Sequence, residues 1–242
     1  MRTTTTAFRS AGLFLFIPAL LVTAWAKDFW EAKPFTQWDE KEAVALLSTS
    51  PWARSLSMLG SAFKTAPSES SRASSLPRPV GPGMTSASGL PQAGVSFGDG
   101  DPVPLYVRWL SSRKVREALG RLAQLQSKVP ESEVQKAVNQ PMTDYMISIV
   151  APVMTPFNEV SFDDLKDQTF LISKKDKNKK LQLRAYAPPK DRGDGVAVFS
   201  FARTPALDLA DDEVQFVTRV KKIEIKAAFK LARMVADGSL DL

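Results

Sequence analysis

The side chains that could carry catalysis are serine, lysine and the carboxylates, because the chain contains neither histidine nor cysteine. Without histidine the usual general base and the usual zinc ligand are missing, and without cysteine the thiolate nucleophile is missing too. Ser-His-Asp triads, Cys-His pairs and Cys/His metal sites are therefore excluded. Carboxylate chemistry, Ser-Lys chemistry, or no catalytic chemistry remains.

Ser61 and Lys64 match the S-x-x-K spacing of serine acyl enzymes, in which a nearby lysine helps the serine to lose its proton. This spacing needs the start of a helix to bring the two side chains together, and here it runs into a stretch rich in Ser, Pro and Gly. The companion motifs S-D-N and K-T-G are missing from the sequence. We interpret the match as chance and predict no catalytic residue.

Acidic residues occur in four close sets, which are Asp99/Asp101, Asp163/Asp164, Asp191/Asp194 and Asp211/Asp212. A glycosidase needs two carboxylates that face each other across a pocket, roughly 5 to 9.5 Å apart, and sequence neighbours in caps and turns rarely do so. Asp99 and Asp101 could offer oxygens to calcium, but the rest of a loop signature, including a bidentate glutamate, is missing. We therefore expect no metal site and no cofactor.

The densest cluster of charge is a lysine group at a predicted hairpin tip, with an arginine on the following strand. Its members are Lys174, Lys175, Lys177, Lys179, Lys180 and Arg184. One interpretation is contact with an anionic polymer or a lipid headgroup surface. The other is a solvated turn whose lysines discourage edge-to-edge strand pairing. Aromatic residues that would stack on nucleobases are not interleaved with these lysines, so we expect no nucleic-acid partner.

Two tryptophans, Trp38 and Trp52, flank a predicted helix within residues 33–54. Asp39 is the predicted N-cap of this helix, and Glu42 completes a capping box. The tryptophans then lie just outside the two helix ends. They either present a binding surface for a sugar ring or a partner chain, or seal the helix onto a sheet.

The first 26 residues are typical of a secretory signal peptide. Arg2 and Arg9 form a positive n-region, residues 12–23 form a short apolar h-region, and Ala24-Trp25-Ala26 supplies small residues at the cleavage positions. The apolar run is too short to span a bilayer, and no later segment reaches the roughly 20 apolar residues that a spanning helix needs. We therefore expect export to the periplasm or the extracellular space, with no transmembrane anchor in the mature chain.

Composition divides the rest of the chain into three parts. Residues 27–64 are a predicted N-terminal helical arm, which is too small to fold alone and is expected to dock on the main domain. Residues 65–102 are a predicted disordered linker, because more than half of them are Ser, Pro or Gly. Residues 103–242 are the predicted α+β domain, and the absence of cysteine means that its core must stabilise it without disulfides.

The hydrophobic pattern of this domain predicts an antiparallel sheet of about five to seven strands with two or three helices. Alternation from Val103 to Trp109 predicts a half-buried strand, and apolar residues at helical spacing predict a helix from Arg113 to about Gln126. A second helix is predicted from Pro130 to Val138, and one helical turn at 161–165. Further strands are predicted at 144–150, 169–173, 180–187, 196–203 and 213–227. The segment 213–227 is predicted as one continuous strand. Asp237-Gly238 predicts the turn of a final hairpin.

Three segments carry a resemblance to other proteins. They are residues 35–54 with S-P-W-A at 50–53, V-R-W-L-S-S-R-K-V-R-E-A-L at 107–119, and M-V-A-D-G-S-L-D-L at 234–242. In these segments the chain resembles a family of uncharacterised secreted bacterial proteins of acidobacterial type, whereas the linker is unmatched. The resemblance implies export and a shared fold in which arm and domain occur together, and it implies no known activity or catalytic residue.

These observations predict a secreted, non-enzymatic interaction or structural protein of the cell envelope or extracellular space, with an envelope protein as a possible partner. The predicted partner-binding residues are Trp38 and Trp52 together with the lysine group. Two alternatives stay open. One is a carboxylate-dependent hydrolase acting on polysaccharide or peptide, and the other is a binder of anionic surfaces that acts through the lysine-rich hairpin.

Overall fold

The computed structural model describes residues 28–63 and 97–242. Its main element is an eight-stranded antiparallel sheet with the strand order β1-β2-β3-β6-β5-β4-β7-β8. The strands are β1 (Ala53–Leu59), β2 (Pro102–Trp109), β3 (Asp144–Val150), β4 (Phe170–Ser173), β5 (Lys180–Ala187), β6 (Ala197–Ala202), β7 (Glu213–Val220) and β8 (Ile223–Lys230). A small second sheet pairs β9 (Val235–Ala236) with β10 (Ser239–Leu240).

Helices pack against the sheet at several places. In the described ranges they are α1 (Phe29–Ala32), α2 (Glu40–Thr49), α3 (Gly60–Phe63), α4 (Arg113–Ser127), α5 (Glu131–Asn139), α6 (Thr155–Asn158), α7 (Phe162–Leu165) and α8 (Pro189–Arg192). Helix α2 packs on β1, β2 and α4, and α5 packs on α4. The mixed α+β class is as predicted. No helix in these ranges is long and apolar enough to cross a membrane.

The core has two parts: alternate residues of the strands point to the inner face of the curved sheet, and buried residues of α2 and α4 pack on its outer face. On β2, Val103, Leu105, Val107 and Trp109 are all fully buried, which confirms the predicted alternation. The Trp109 ring meets the rings of Phe229 and Tyr145 edge-on, with centroids 5.4 and 5.8 Å away. Such aromatic packing adds to the free energy of burial and stabilises a chain that has no disulfide.

The sequence signals at the helix starts are confirmed. The Asp39 carboxylate accepts a hydrogen bond from the Glu42 backbone N–H at 2.8 Å, and the Glu42 carboxylate accepts one from the Asp39 N–H at 2.8 Å. At α4 the N-cap is Ser112, and a distant residue assists it. The Asp241 carboxylate accepts from the backbone N–H groups of Arg113 (2.6 Å) and Lys114 (3.0 Å), where a helix favours negative charge.

The sheet has more strands than the expected five to seven. One reason is that the predicted single run at 213–227 is a hairpin, in which β7 and β8 are joined at Lys221-Lys222. Lys221 adopts a left-handed conformation with φ of 54°. Hairpin turns of this kind usually contain Gly, Asn or Asp, so two lysines gave no turn signal. The described helices also exceed the expected two or three, because several are single turns of four residues.

The other reason is that the N-terminal arm supplies a strand. β1 pairs with β2 along its whole length, from Ala53 opposite Arg108 to Leu59 opposite Pro102. The fold also includes the last residues of the predicted linker, because Gly60 N–H donates to the Asp101 carbonyl at 2.9 Å. A side chain at Gly60 would collide with the Gly98 carbonyl. The signal peptide predicted at 1–26 and linker residues 65–96 lie outside the described residues.

The first and last strands lie side by side, so the sheet is nearly closed into a barrel. Arg54 of β1 bridges this seam: its Nε donates to the Ala228 carbonyl of β8 at 2.6 Å, and its guanidinium lies 5.1 Å from the centre of the Phe229 ring. It also donates to the Ser50 carbonyl at 2.9 Å. One side chain therefore joins the end of α2 to the last strand of the sheet.

We predict that Arg54→Ala lowers the free energy of unfolding by about 2 to 4 kcal/mol, because charge-assisted hydrogen bonds and a cation–π contact are lost together. Guanidinium denaturation followed by tryptophan fluorescence measures the change. Arg184→Ala is the matched control, since Arg184 is exposed and forms a single surface ion pair with Asp144, worth under about 1 kcal/mol. Equal losses in the two variants would contradict the role given to Arg54.

Candidate functional site

The two tryptophans predicted to bind a partner are both fully buried. Trp38 packs edge-on against Phe29 and Phe35, and its indole N–H donates to the Lys33 carbonyl at 3.2 Å. The Trp52 indole N–H donates to the Asp241 carbonyl at 2.8 Å. A buried ring offers no surface to a partner, so the predicted binding role of Trp38 and Trp52 is corrected. Their packing agrees with the other interpretation, in which they seal the arm onto the sheet.

The lysine group lies at the β4–β5 hairpin, as predicted, but the fold brings acidic residues against it. The Lys179 ammonium is 2.6 Å from the Asp211 carboxylate and 3.4 Å from that of Asp208. The Lys174 ammonium is 3.2 Å from the Glu213 carboxylate. These acids are between 29 and 39 residues away from their lysines in the sequence, so no local pattern could reveal the pairing.

The remaining members of the group differ in their surroundings. Lys180 places its ammonium 3.8 Å from the centre of the Phe170 ring, and Arg184 pairs with Asp144 at 2.8 Å. Lys175 and Lys177 are exposed and form no ion pair with a described residue. The hairpin surface thus carries both signs of charge. A mixed surface attracts an anionic polymer weakly, so it favours the interpretation as a solvated turn.

The Lys179–Asp211 pair predicts a pH-dependent contribution to stability. Burial alone raises the pKa of the Asp211 carboxyl, but hydrogen bonds from the Lys179 ammonium and the Asp208 backbone outweigh burial and hold this pKa below its ordinary value. A carboxyl whose pKa is lowered by folding stabilises the protein above its unfolded-state pKa of about 3.9. The stabilisation is lost as the pH falls through the lowered, folded-state pKa.

We therefore expect Asp211→Asn to lower the free energy of unfolding by about 1 to 3 kcal/mol at pH 7, where the buried carboxylate is charged. The difference from the wild type should shrink at an acidic pH well below the unfolded-state pKa of about 3.9. Urea denaturation at both pH values measures it. Asp163→Asn, at an exposed i,i+3 pair with Lys166, serves as the control and should cost under about 1 kcal/mol. A loss that is equally large at both pH values would contradict the ion-pair explanation.

A partly open pocket of about 230 Å³ lies on the outer face of the sheet, beside α4 and the segment that follows α8. We call it the Arg108 pocket. It is lined by Arg108, Leu110, Leu119, Ala123, Ser148, Arg192, Asp194 and Val196. The residues come from β2, β3, α4 and the segment before β6, so only the complete fold brings them together.

The floor of the pocket is formed by Arg108 and Ser148, each only 2% exposed. They are directly opposite on the neighbouring strands β2 and β3, and therefore project from the same face. Ala53 lies opposite Arg108 on its other side, and Val198 lies opposite Ser148. Small and medium side chains in this row leave room between the sheet and the helices.

Arg108 carries a buried positive charge. Its Nε donates to the Leu47 carbonyl at 2.7 Å, in the last turn of α2, where the helix dipole is negative and favours a cation. Its guanidinium lies 5.8 Å from the centre of the Tyr106 ring. Burial lowers the pKa of Arg108 to about 10. The group therefore remains protonated at neutral pH.

Ser148 provides a hydroxyl beside this charge. No described residue forms a hydrogen bond with the Ser148 side chain, although the residue is buried. Its Oγ atom is not among the fully buried polar atoms that lack a hydrogen-bond partner, so it is accessible from the pocket and can form a hydrogen bond with a ligand there. The pocket floor thus combines one fixed positive charge with one hydrogen-bonding hydroxyl.

The walls are apolar and half-buried, formed by Leu110, Leu119, Ala123 and Val196. The mouth is formed by Arg192 and Asp194, whose side chains are both 36% exposed and paired at 2.8 Å. These two residues belong to the tripeptide Arg192-Gly193-Asp194, in which Gly193 has a left-handed φ of 71°. Arginine and aspartate bind each other here instead of projecting separately into solvent.

The remaining candidates from the sequence are not brought together. Asp164 caps its own helical turn through Ser161, and Asp101 accepts from the Gly98 N–H at 2.6 Å. Ser61 lies in α3, while Lys64 is outside the described residues. Within the described ranges, no group of three or more His, Cys, Asp or Glu side chains could hold a metal ion.

Local sequence signals did not indicate the Arg108 pocket. Arg108 alternates with the buried residues of β2, which is the pattern of an outward-facing, solvated side chain. It does face outward, but α2 and α4 cover it. The only local hint was the arginine between Val107 and Trp109 on a strand that is otherwise strongly apolar.

Comparisons of the chain with models of protein families, with curated proteins and with solved structures find no match. A function is therefore inferred from the geometry of the described residues.

Proposed function

We propose that this protein is a non-enzymatic binding protein that holds a small carboxylate with an apolar body in the Arg108 pocket. The observation that carries the proposal is a buried, charged guanidinium on the floor of a partly open and mainly apolar pocket. Sites for small molecules commonly combine apolar walls with a few placed polar groups in this way.

The floor favours a carboxylate. A guanidinium presents N–H groups in a planar fork that matches the two oxygens of a carboxylate, and charge-assisted hydrogen bonds of this kind are the stronger ones. The Ser148 hydroxyl can donate to the same carboxylate. Because both groups are removed from water, the attraction is screened less than it would be on the surface.

The walls and the volume limit the rest of the ligand. Leu110, Leu119, Ala123 and Val196 gain by covering an apolar chain or ring. At about 230 Å³, the cavity is smaller than the roughly 300 to 1,000 Å³ typical of drug-sized ligands. A short aliphatic or a single-ring carboxylate is therefore the class that fits.

Binding without catalysis agrees with the protonation states of the lining groups. Arg108 holds its proton at neutral pH and cannot serve as a general base, and Asp194 is held by Arg192 at the mouth. Export of the chain, which we propose from its N-terminal segment, would place this binding activity in the periplasm or the extracellular space.

Isothermal titration calorimetry with hexanoate and hexanamide tests the proposal, since the two molecules share a shape and differ in charge. Hexanoate should bind and hexanamide should bind at least tenfold more weakly, because a hydrogen bond between charged groups exceeds a neutral one by about 1.4 kcal/mol or more. Arg108→Met should abolish binding of hexanoate. Ser148→Ala disturbs the fold less than Arg108→Met does, and it should lower the affinity for hexanoate about tenfold.

Arg184→Met is the control, because Arg184 is an exposed arginine on β5 outside the pocket, and it should bind hexanoate as the wild type does. Circular dichroism verifies that each variant is folded. Butanoate and benzoate extend the panel to a shorter chain and to a ring. Equal binding of hexanoate and hexanamide would contradict the proposal. It would be overturned too if none of the three carboxylates bound at millimolar concentration.

A further inference from the structure

A second cleft, of about 520 Å³, lies between the N-terminal arm and the β9–β10 hairpin. We call it the Lys114 cleft. Its lining includes Trp30, Glu31 and Lys33 of the arm, Lys114 of α4, and Asp237 and Gly238 of the hairpin turn. None of its described lining residues belongs to the Arg108 pocket. The volume lies within the roughly 300 to 1,000 Å³ typical of small-molecule sites, so this cleft can hold a ligand of its own.

The buried Lys114 ammonium has more hydrogen-bond donors than protein acceptors. Lys114 is only 8% exposed, and the buried Glu117 carboxylate balances its charge at 3.0 Å. An ammonium has three N–H donors. Among the described residues only Glu117 accepts from it, since the Asp237 carboxylate is 3.9 Å away. Neutral oxygen atoms, such as those of hydroxyl groups, suit the other two donors because the charge is already balanced.

Asp237 supplies the complementary acceptors. Asp237 and Gly238 form the two-residue turn between β9 and β10, with left-handed φ angles of 51° and 77°. The Asp237 side chain is largely exposed, and its carboxylate accepts no hydrogen bond from a described residue. An ionised carboxylate only accepts hydrogen bonds, and it has room for several donors. It can therefore bind the hydroxyl hydrogens of a ligand in the cleft.

Trp30 adds an aromatic ring to the cleft. It packs edge-on against Phe29 and Trp52, with ring centroids 4.9 and 5.9 Å away, so two aromatic contacts hold the ring in place. Trp30 is only partly buried, whereas Trp38 and Trp52 are fully buried. Its indole N–H forms no hydrogen bond with a described residue and is not enclosed. Of these three tryptophans, Trp30 is the one that a ligand can reach.

The charges that line the cleft carry both signs in equal number. Lys33 and Lys114 are positive, and Glu31 and Asp237 are negative. Such a lining has no net charge with which to attract an anion or a cation. It offers hydrogen-bond donors and acceptors beside an aromatic ring.

We infer that the Lys114 cleft binds a neutral carbohydrate. A sugar ring carries hydroxyl groups, which both donate and accept hydrogen bonds, around C–H faces that can pack on an aromatic ring. The sugar lies against Trp30, its oxygens accept from Lys114, and its hydroxyl groups donate to Asp237. This inference goes beyond the proposed carboxylate site and does not depend on it.

Heteronuclear NMR of the isotope-labelled protein tests the inference, because each tryptophan side chain gives one indole N–H signal. Trp30→Phe identifies the signal of Trp30. The probes are maltose, cellobiose, lactose and diacetylchitobiose at millimolar concentration. We expect at least one of these disaccharides to shift the Trp30 signal more than the signals of Trp38 and Trp52. If no disaccharide in this panel shifts it, the inference is wrong.

Variants place the sugar within the cleft. Trp30→Leu and Asp237→Asn should each lower the affinity for the bound disaccharide by about three- to tenfold, through loss of an aromatic contact and of a charged acceptor. Asparagine tolerates the left-handed backbone of position 237. Phe162→Leu and Asp163→Asn are the matched controls, since they change an exposed aromatic and an exposed carboxylate outside the cleft. Equal losses in cleft and control variants would contradict the assignment.

Salt and a charged sugar distinguish a carbohydrate site from an anion site. The affinity for the disaccharide should change by less than about twofold between low and high salt, because the ligand has no charge to screen. Glucuronate should bind no more tightly than methyl glucoside. Tighter binding of glucuronate, or a steep loss of affinity with salt, would show that the lysines form an anion site instead. Neither result affects the carboxylate site, which the hexanoate titration tests separately.

Discussion

The burial of the Arg108 guanidinium is the constraint on which both the fold and the candidate site depend. Removing a charged group from water costs several kcal/mol unless polar partners compensate. Part of the compensation is the Leu47 carbonyl at the negative end of α2, 2.7 Å from Arg108 Nε. The helix must therefore dock on the sheet for the charge to be tolerated, and the docked helix in turn holds Arg108 at the floor of the pocket.

The same kind of interaction attaches the whole N-terminal arm. Arg121 of α4 donates to the Trp38 carbonyl at 2.7 Å, at one end of α2, and Arg54 donates to the Ser50 carbonyl at the other. Trp52 adds a bond to the backbone of Asp241. The arm also supplies β1, which covers the edge of β2 and nearly closes the barrel. Arm, barrel and pocket form a single unit of stability in this structure.

Local signals predicted the parts of the fold that local physics determines. The capping box of Asp39 and Glu42, the capped turn after Ser161 and the bounds of β3 and β5 match the structure, because each depends on residues close in sequence. The β7–β8 turn escaped prediction, since Lys221 adopts a positive φ without the usual turn residues. Two further features could not be predicted, because tertiary contacts between distant segments determine them. They are the pairing of Lys179 with Asp211 and the covering of Arg108.

The most direct test of the central claim is a crystal structure of the chain soaked with 4-bromobutanoate, in which anomalous scattering locates the bromine. The carboxylate should lie between the guanidinium of Arg108 and the hydroxyl of Ser148, with the bromine against Leu119 and Ala123. Such a position would establish that the buried charge is a ligand-binding group. If no bromine peak lies in the Arg108 pocket, although bromine binds elsewhere on the molecule at the same concentration, the claim is contradicted. Arg108 would then have a purely structural role in holding α2.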